Sequence, residues 1–165
     1  RMAAVKGALL GLLVDAYQRR DRVALVTFGG HGAEIVLRPT GSVEVARARL
    51  EAMPTGGETP LADGIRTATV LAHRSATATL RPILVIVTDG RATGGAGVHA
   101  DPVAAALAEA AVVARHQLPA VVVDVEPTTG PRLGLAQDLA AAMGARHLPL
   151  PTLTAGRLEA ALRSL

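Results

Sequence analysis

The chain has no cysteine and no tryptophan, and its aromatic residues are reduced to Tyr17 and Phe28. The missing thiols exclude disulfides, thiolate metal sites and cysteine nucleophiles together, and they fit a reducing compartment. Without aromatics, Leu, Val, Ile and Ala must fill the core, and the stacking platforms of nucleic-acid readers are lacking. Lysine occurs once, at Lys6, so the formal net charge of +3 is carried by arginines. These are spread along the chain and cluster only at Arg19, Arg20 and Arg22, which argues against a nucleic-acid footprint. No apolar run reaches the roughly 18 residues of a membrane span. What is present is a length of 165 residues, half of them hydrophobic, enough for one domain with a sizeable core.

Residues 2–18 place Val5, Leu9, Leu12, Leu13 and Ala16 on one helical face, with Arg19 and Arg20 where cations complement the carboxyl end. Val23–Phe28 is a continuous apolar run, expected as a strand buried on both faces in a parallel sheet. Gly29–Gly32 predicts a turn and Glu34–Arg38 a short antiparallel return strand at the sheet edge. Helices are expected around Val43–Met53 with Ser42 as N-cap, from Pro60 through Ala72, around Val103–Ala114, and from Leu135 to a stop at Gly144. Further strands are expected at Ile83–Thr88, Ala120–Val125 and Arg146–Leu148, with a last helix through Leu158 and Leu162. Alternating strands and helices with aliphatic strands predict a doubly wound, mostly parallel α/β sheet carrying one antiparallel edge strand.

In such sheets ligands bind beyond the carboxyl ends of the strands, where the winding reverses. Two runs meet that requirement. Gly56-Gly57-Glu58-Thr59-Pro60-Leu61-Ala62-Asp63-Gly64 puts a hydroxyl on a glycine-rich loop at the start of a helix. Ile83-Leu84-Val85-Ile86-Val87-Thr88-Asp89-Gly90 puts a carboxylate at the end of a buried strand. A hard cation such as Mg²⁺ takes about six oxygen ligands and readily keeps several waters. Thr59 and Asp89 supply one hydroxyl and one carboxylate. Each also has an ordinary reading: Thr59 as an N-cap before Pro60, and Asp89-Gly90 as a turn. Their joint occurrence at one sheet edge leaves the metal reading and the ordinary reading side by side.

These runs, with Arg20-Asp21-Arg22-Val23-Ala24-Leu25-Val26-Thr27-Phe28 and Val87-Thr88-Asp89-Gly90-Arg91-Ala92, resemble a known family in order and spacing over nearly the whole chain. It is the von Willebrand factor A-type domain of the magnesium chelatase D subunit, whose fold cobalt-chelatase relatives share. The resemblance implies a Rossmann-like sheet with a metal-ion-dependent adhesion site made from three loops. Thr59 matches the threonine ligand and Asp89 the third-loop aspartate, with Gly56 and Gly57 shaping the loop. The family's first loop, D-x-S-x-S, has no counterpart, and neither has the central strand that carries it. Residues 1–165 are therefore expected to be one N-terminally truncated domain with weak Mg²⁺ affinity and with unpaired edges on the strands flanking the gap. Glu58 stands where many members have a small residue and is expected to face solvent.

By the same resemblance the function is non-catalytic. The domain would couple an AAA+ ATPase subunit to the large subunit of a cytoplasmic magnesium or cobalt chelatase, in the tetrapyrrole biosynthesis that leads to chlorophyll or cobalamin. An extracellular adhesion domain of the same fold is the first rival. A small-molecule enzyme using Gly94-Gly95-Ala96-Gly97 is the second, although that run does not have the G-x-G-x-x-G setting. No G-x-x-x-x-G-K-[ST] is present, so this chain is not itself the ATPase. His31, His73, His99, His116 and His147 show no ligand spacing and read as surface or turn residues, His99 alone lying near the Asp89 loop. Asp124 and Glu126 close a strand and are expected to face opposite sides, without sharing a substrate. Ser75 and Ser164 lack the strand–turn–helix setting of a nucleophile.

Overall fold

The computed structural model describes residues 2–30, 32–53, 57–94, 101–150 and 155–164. The chain runs α1 (Met2–Gln18), β1 (Val23–Gly29), β2 (Gly32–Thr40), α2 (Val43–Glu51), α3 (Leu61–Ser75), β3 (Leu84–Thr88), α4 (Pro102–Arg115), β4 (Ala120–Asp124), α5 (Leu135–Met143), β5 (Arg146–Pro149) and α6 (Ala155–Arg163). The order of helices and strands follows the apolar periodicity. Two ends are set by the residues expected to set them. Ser42 Oγ accepts the Val45 N–H at 3.3 Å, and Gly144 closes α5 in the left-handed region at φ 65°.

β3, β4 and β5 form a parallel ladder in that order, with Thr88 opposite Asp124 and Asp124 opposite Pro149. Every residue of β4 is buried, because it is the middle strand and is covered on both faces. Ala120 and Val122 join Leu84 and Ile86 against α3, α4 and α5. Val121 and Val123 face the other way, against Val5 of α1 and Ala161 of α6. A continuous valine run is what a strand with two buried faces requires, and each such side chain contributes roughly 1.5–3 kcal/mol when removed from water.

β1 and β2 form a separate antiparallel hairpin. Among the described residues no ladder joins β1 to β3, so each keeps one edge without a strand partner. The unpaired edges agree with the expectation. The expectation of a β1 buried on both faces in a parallel sheet does not hold: the strand is only half-buried, with Ala24 exposed. A hairpin gives its strand one neighbour, and full burial of a strand needs neighbours on both edges as well as cover on both faces. Two helices hold the hairpin to the parallel ladder. α3 packs Leu61 and Ile65 into one cluster with Phe28 of β1 and with Leu84 and Ile86 of β3. On the opposite face α1 sends Val5 to β4 and Leu13 to Leu37 of β2. No described helix is long and apolar enough to cross a membrane.

Gly64 shows how closely α3 lies on the hairpin. A Cβ at this position would sit 2.5 Å from Cδ1 and 3.1 Å from Cβ of Phe28. A helix-favouring Gly→Ala change therefore meets a ring that has to move. We expect Gly64→Ala to destabilise the chain by about 1–2 kcal/mol, overpacking outweighing the gain of up to about 1 kcal/mol in helix propensity. Thermal denaturation would detect this, and Phe28→Leu in the same chain should recover part of the loss. At α4, Asp101 Oδ1 accepts the N–H groups of Val103 at 3.0 Å and Ala104 at 3.1 Å. Asp101→Ala should cost about 0.5–2 kcal/mol by denaturant titration.

Candidate metal centre

Asp89 follows the last residue of β3 and stands at the carboxyl edge of the parallel ladder. Two local side-chain bonds hold the turn there. Thr88 Oγ1, buried, accepts the Gly90 N–H at 3.2 Å, and Asp89 Oδ1 accepts the Arg91 N–H at 3.2 Å. Gly90 takes φ 77°, which favours glycine. The Asp89 side chain is 44% exposed, and its other oxygen lies 3.8 Å from Arg91 Nε. A pair that open and that long is worth little, so the carboxylate is accessible.

Thr59 is brought to the same edge by the loop after Asp89. Its N–H donates to Thr93 Oγ1 at 3.0 Å, and its carbonyl accepts the Thr93 N–H at 2.9 Å. The Gly30 N–H donates to Glu58 O at 3.2 Å, tying the same loop to the β1–β2 hairpin. By sequence Thr59 is a possible cap of α3. The N-cap is Pro60 instead, and it makes no side-chain capping bond. The Thr59 hydroxyl is therefore not spent on the first turn of the helix. Gly57 holds φ 94°; Gly56 lies outside the described residues.

Glu58, expected to face solvent, is exposed but leans across to the third loop, its carboxylate lying against Gly94 at φ 68°. One hydroxyl and one carboxylate on loops laced together are oxygen donors of the kind Mg²⁺ takes, and they fall short of its usual six. Among the described residues no three His, Asp or Glu side chains converge as a metal cluster.

A second group of charges sits one strand further along this edge. Asp124 and Glu126 have side chains only 1% and 4% exposed and both face Arg132. The expectation that they face opposite sides is wrong. Positions two apart share a face of a strand, and both carboxylates follow Ala120 and Val122 toward the α5 side. Asp124 accepts the Glu126 N–H at 2.8 Å and pairs with His147 Nε2 at 3.0 Å and with Arg132 Nη2. Glu126 accepts the N–H groups of Leu133 and Gly134. A Cβ on Gly90 would lie 3.5 Å from the Glu126 carboxylate, so this cluster abuts the Asp89 turn.

His147 is thus a hydrogen-bonded residue of β5 and not a scattered one. His73 and His116 also meet, ring centroids 5.2 Å apart across the ends of α3 and α4. His31 and His99 lie outside the described residues, as do Gly95 to Gly97 of the glycine run. Ser75 donates to the carbonyl of Leu71 within α3, and Ser164, just past α6, donates to the carbonyl of Ala161.

Comparison with known proteins identifies the family and the fold. A protein of Mycobacterium tuberculosis described as uncharacterised is 46% identical over 100% of this chain and 26% of its own length. The magnesium-chelatase 60 kDa subunit of Cereibacter sphaeroides is 38% identical over 96% of this chain and 28% of its own. The chain thus spans about a quarter of the length of these curated relatives. Its fold is shared with BatB of Bacteroides thetaiotaomicron, with a TM-score of 0.70 at 19% identity over 99% of this chain and 85% of that one. The description von Willebrand factor type A domain matches residues 1–91, a stretch that takes in both Thr59 and Asp89 and more than half of the molecule, and the chain belongs to that family.

Proposed function

We propose that this is a non-catalytic, partner-binding domain of a magnesium- or cobalt-chelatase D-type subunit. In this reading Thr59 and Asp89 contribute to a Mg²⁺ site at the sheet edge. The observation that carries it is the reciprocal bonding of Thr59 and Thr93, which sets a hydroxyl and an accessible carboxylate on adjoining loops. The similarity to a magnesium-chelatase subunit supports the choice of system. Bound there, the cation would supply an open coordination position for a carboxylate of another protein. Thr59 would hold it through its hydroxyl, and Asp89 through the oxygen that does not bond the Arg91 N–H.

The remaining ligands would come from water and from the first loop implied by the resemblance. The strand carrying that loop would pair with the edges of β1 and β3 that have no strand partner among the described residues. Partners would be the AAA+ ATPase subunit and the large subunit of the chelatase, in the cytoplasm, on a route to a metallated tetrapyrrole.

Calorimetric titration of the chain with Mg²⁺ should give weak binding that Asp89→Ala removes. Tight binding unaffected by both Asp89→Ala and Thr59→Ala would refute the assignment. With the purified AAA+ subunit of a magnesium chelatase as probe, affinity in excess Mg²⁺ should fall about tenfold or more on adding EDTA or on Asp89→Ala, a loss of about 1.4 kcal/mol.

A further inference from the structure

The loop between β4 and α5 leaves the same edge of the sheet as Asp89, because Thr88 and Asp124 are partners on neighbouring parallel strands. Its inner side is fastened by the two buried carboxylates. Asp124 and Glu126 grip the Arg132 guanidinium, and Glu126 also accepts the backbone N–H groups of Leu133 and Gly134. Gly134 then turns at φ 73° into α5. The outer side carries Arg132, 45% exposed, and Leu133. At 65%, Leu133 is the most exposed large hydrophobic side chain among the described residues.

Stability alone does not explain this construction. Two buried carboxylates paired with one half-exposed guanidinium add little net stability, since buried ion pairs are commonly matched or bettered by apolar residues of similar volume. What they add is a single conformation for the loop. A lone exposed leucine ordinarily needs no explanation. This one is different because its own N–H is held by a buried carboxylate and the residue before it is an arginine clamped from within. Groups fixed in advance lose little freedom on docking. Arg132 has five N–H donors, and only those on Nε and Nη2 are engaged with the two carboxylates. Arg91, 69% exposed on the neighbouring loop and only loosely paired with Asp89 at 3.8 Å, lies on the same edge.

We propose that Arg132 and Leu133 form a second, metal-independent contact for the protein partner beside the Asp89 loop. It takes a segment that presents an acidic side chain next to an apolar one. The inference rests on the partner-binding reading above and specifies the partner's chemistry. Leu133 is the clean site to test, since its side chain is largely in solvent and its replacement leaves the fold alone. Arg132→Lys is the companion variant, because it keeps the charge and loses the fork that two carboxylates grip.

With the purified AAA+ ATPase subunit of a magnesium chelatase as probe, Leu133→Ser should weaken binding about tenfold, by the same factor in Mg²⁺ and in EDTA. Its melting temperature should be unchanged. Arg132→Lys should weaken binding in both conditions as well. If Leu133→Ser and Arg132→Lys bind like the parent in both conditions while Asp89→Ala loses affinity, this contact is refuted and the metal site stands. If Leu133→Ser weakens binding but EDTA and Asp89→Ala do not, the contact stands and the metal reading falls.

Discussion

Two hydrogen bonds between Thr59 and Thr93 govern the arrangement of the whole carboxyl edge. Each is worth only about 1 kcal/mol net, yet they join segments that the chain separates by a helix and a strand. One side of the junction leads into α3, which spans the hairpin and the parallel ladder. The other leads back to Asp89 through a turn made by Thr88, Asp89 and Gly90. Because the bonds run in both directions between the same two residues, they fix the loops in register as a short ladder would. The hydroxyl of Thr59 is left over from this arrangement, since neither the ladder nor the helix start uses it.

Behind that edge lies a division of labour between the two kinds of buried surface. The three valines and the alanine of β4 hold the sheet between its helical layers without directional demands. The charges at its carboxyl end do the opposite: Asp124 and Glu126 contribute little net stability but impose one geometry on everything they touch. Through Glu126 that geometry reaches the start of α5 on one side and Gly90 on the other. The Asp89 turn is thus backed by a rigid wall and open to solvent in front.

The α/β order, the hairpin and the ends of α2 and α5 are legible in the sequence because each depends on local chemistry. A valine run, a glycine turn, a serine cap and a left-handed glycine act within a few residues of themselves. The placement of Thr59 and Asp89 at one edge is legible for the same reason: both follow from where a strand ends and where a helix begins. The Asp124–Arg132–His147 cluster is not, because its members come from a strand, a loop and a second strand, and only the register of β4 with β5 brings them together. The parity of Asp124 and Glu126 could have been read, since two residues on one strand at a spacing of two share a side. The contact of Glu58 with Gly94 and the meeting of His73 with His116 leave no local signal at all. The half-buried state of β1 is not legible either, because apolar composition reports what a strand can bury, not how many neighbours it has.

The scarcity of rings has a spectroscopic corollary. Tyr17, 58% exposed near the end of α1, is the chromophore that would dominate near-ultraviolet absorption and emission. Its surroundings are already largely aqueous in the folded chain, so those signals say little about the interior. Phe28 alone carries an aromatic group pressed against a helix backbone. Its ring current shifts the proton resonances of Gly64 and its neighbours, and so gives a built-in magnetic-resonance gauge of whether α3 is seated on the hairpin.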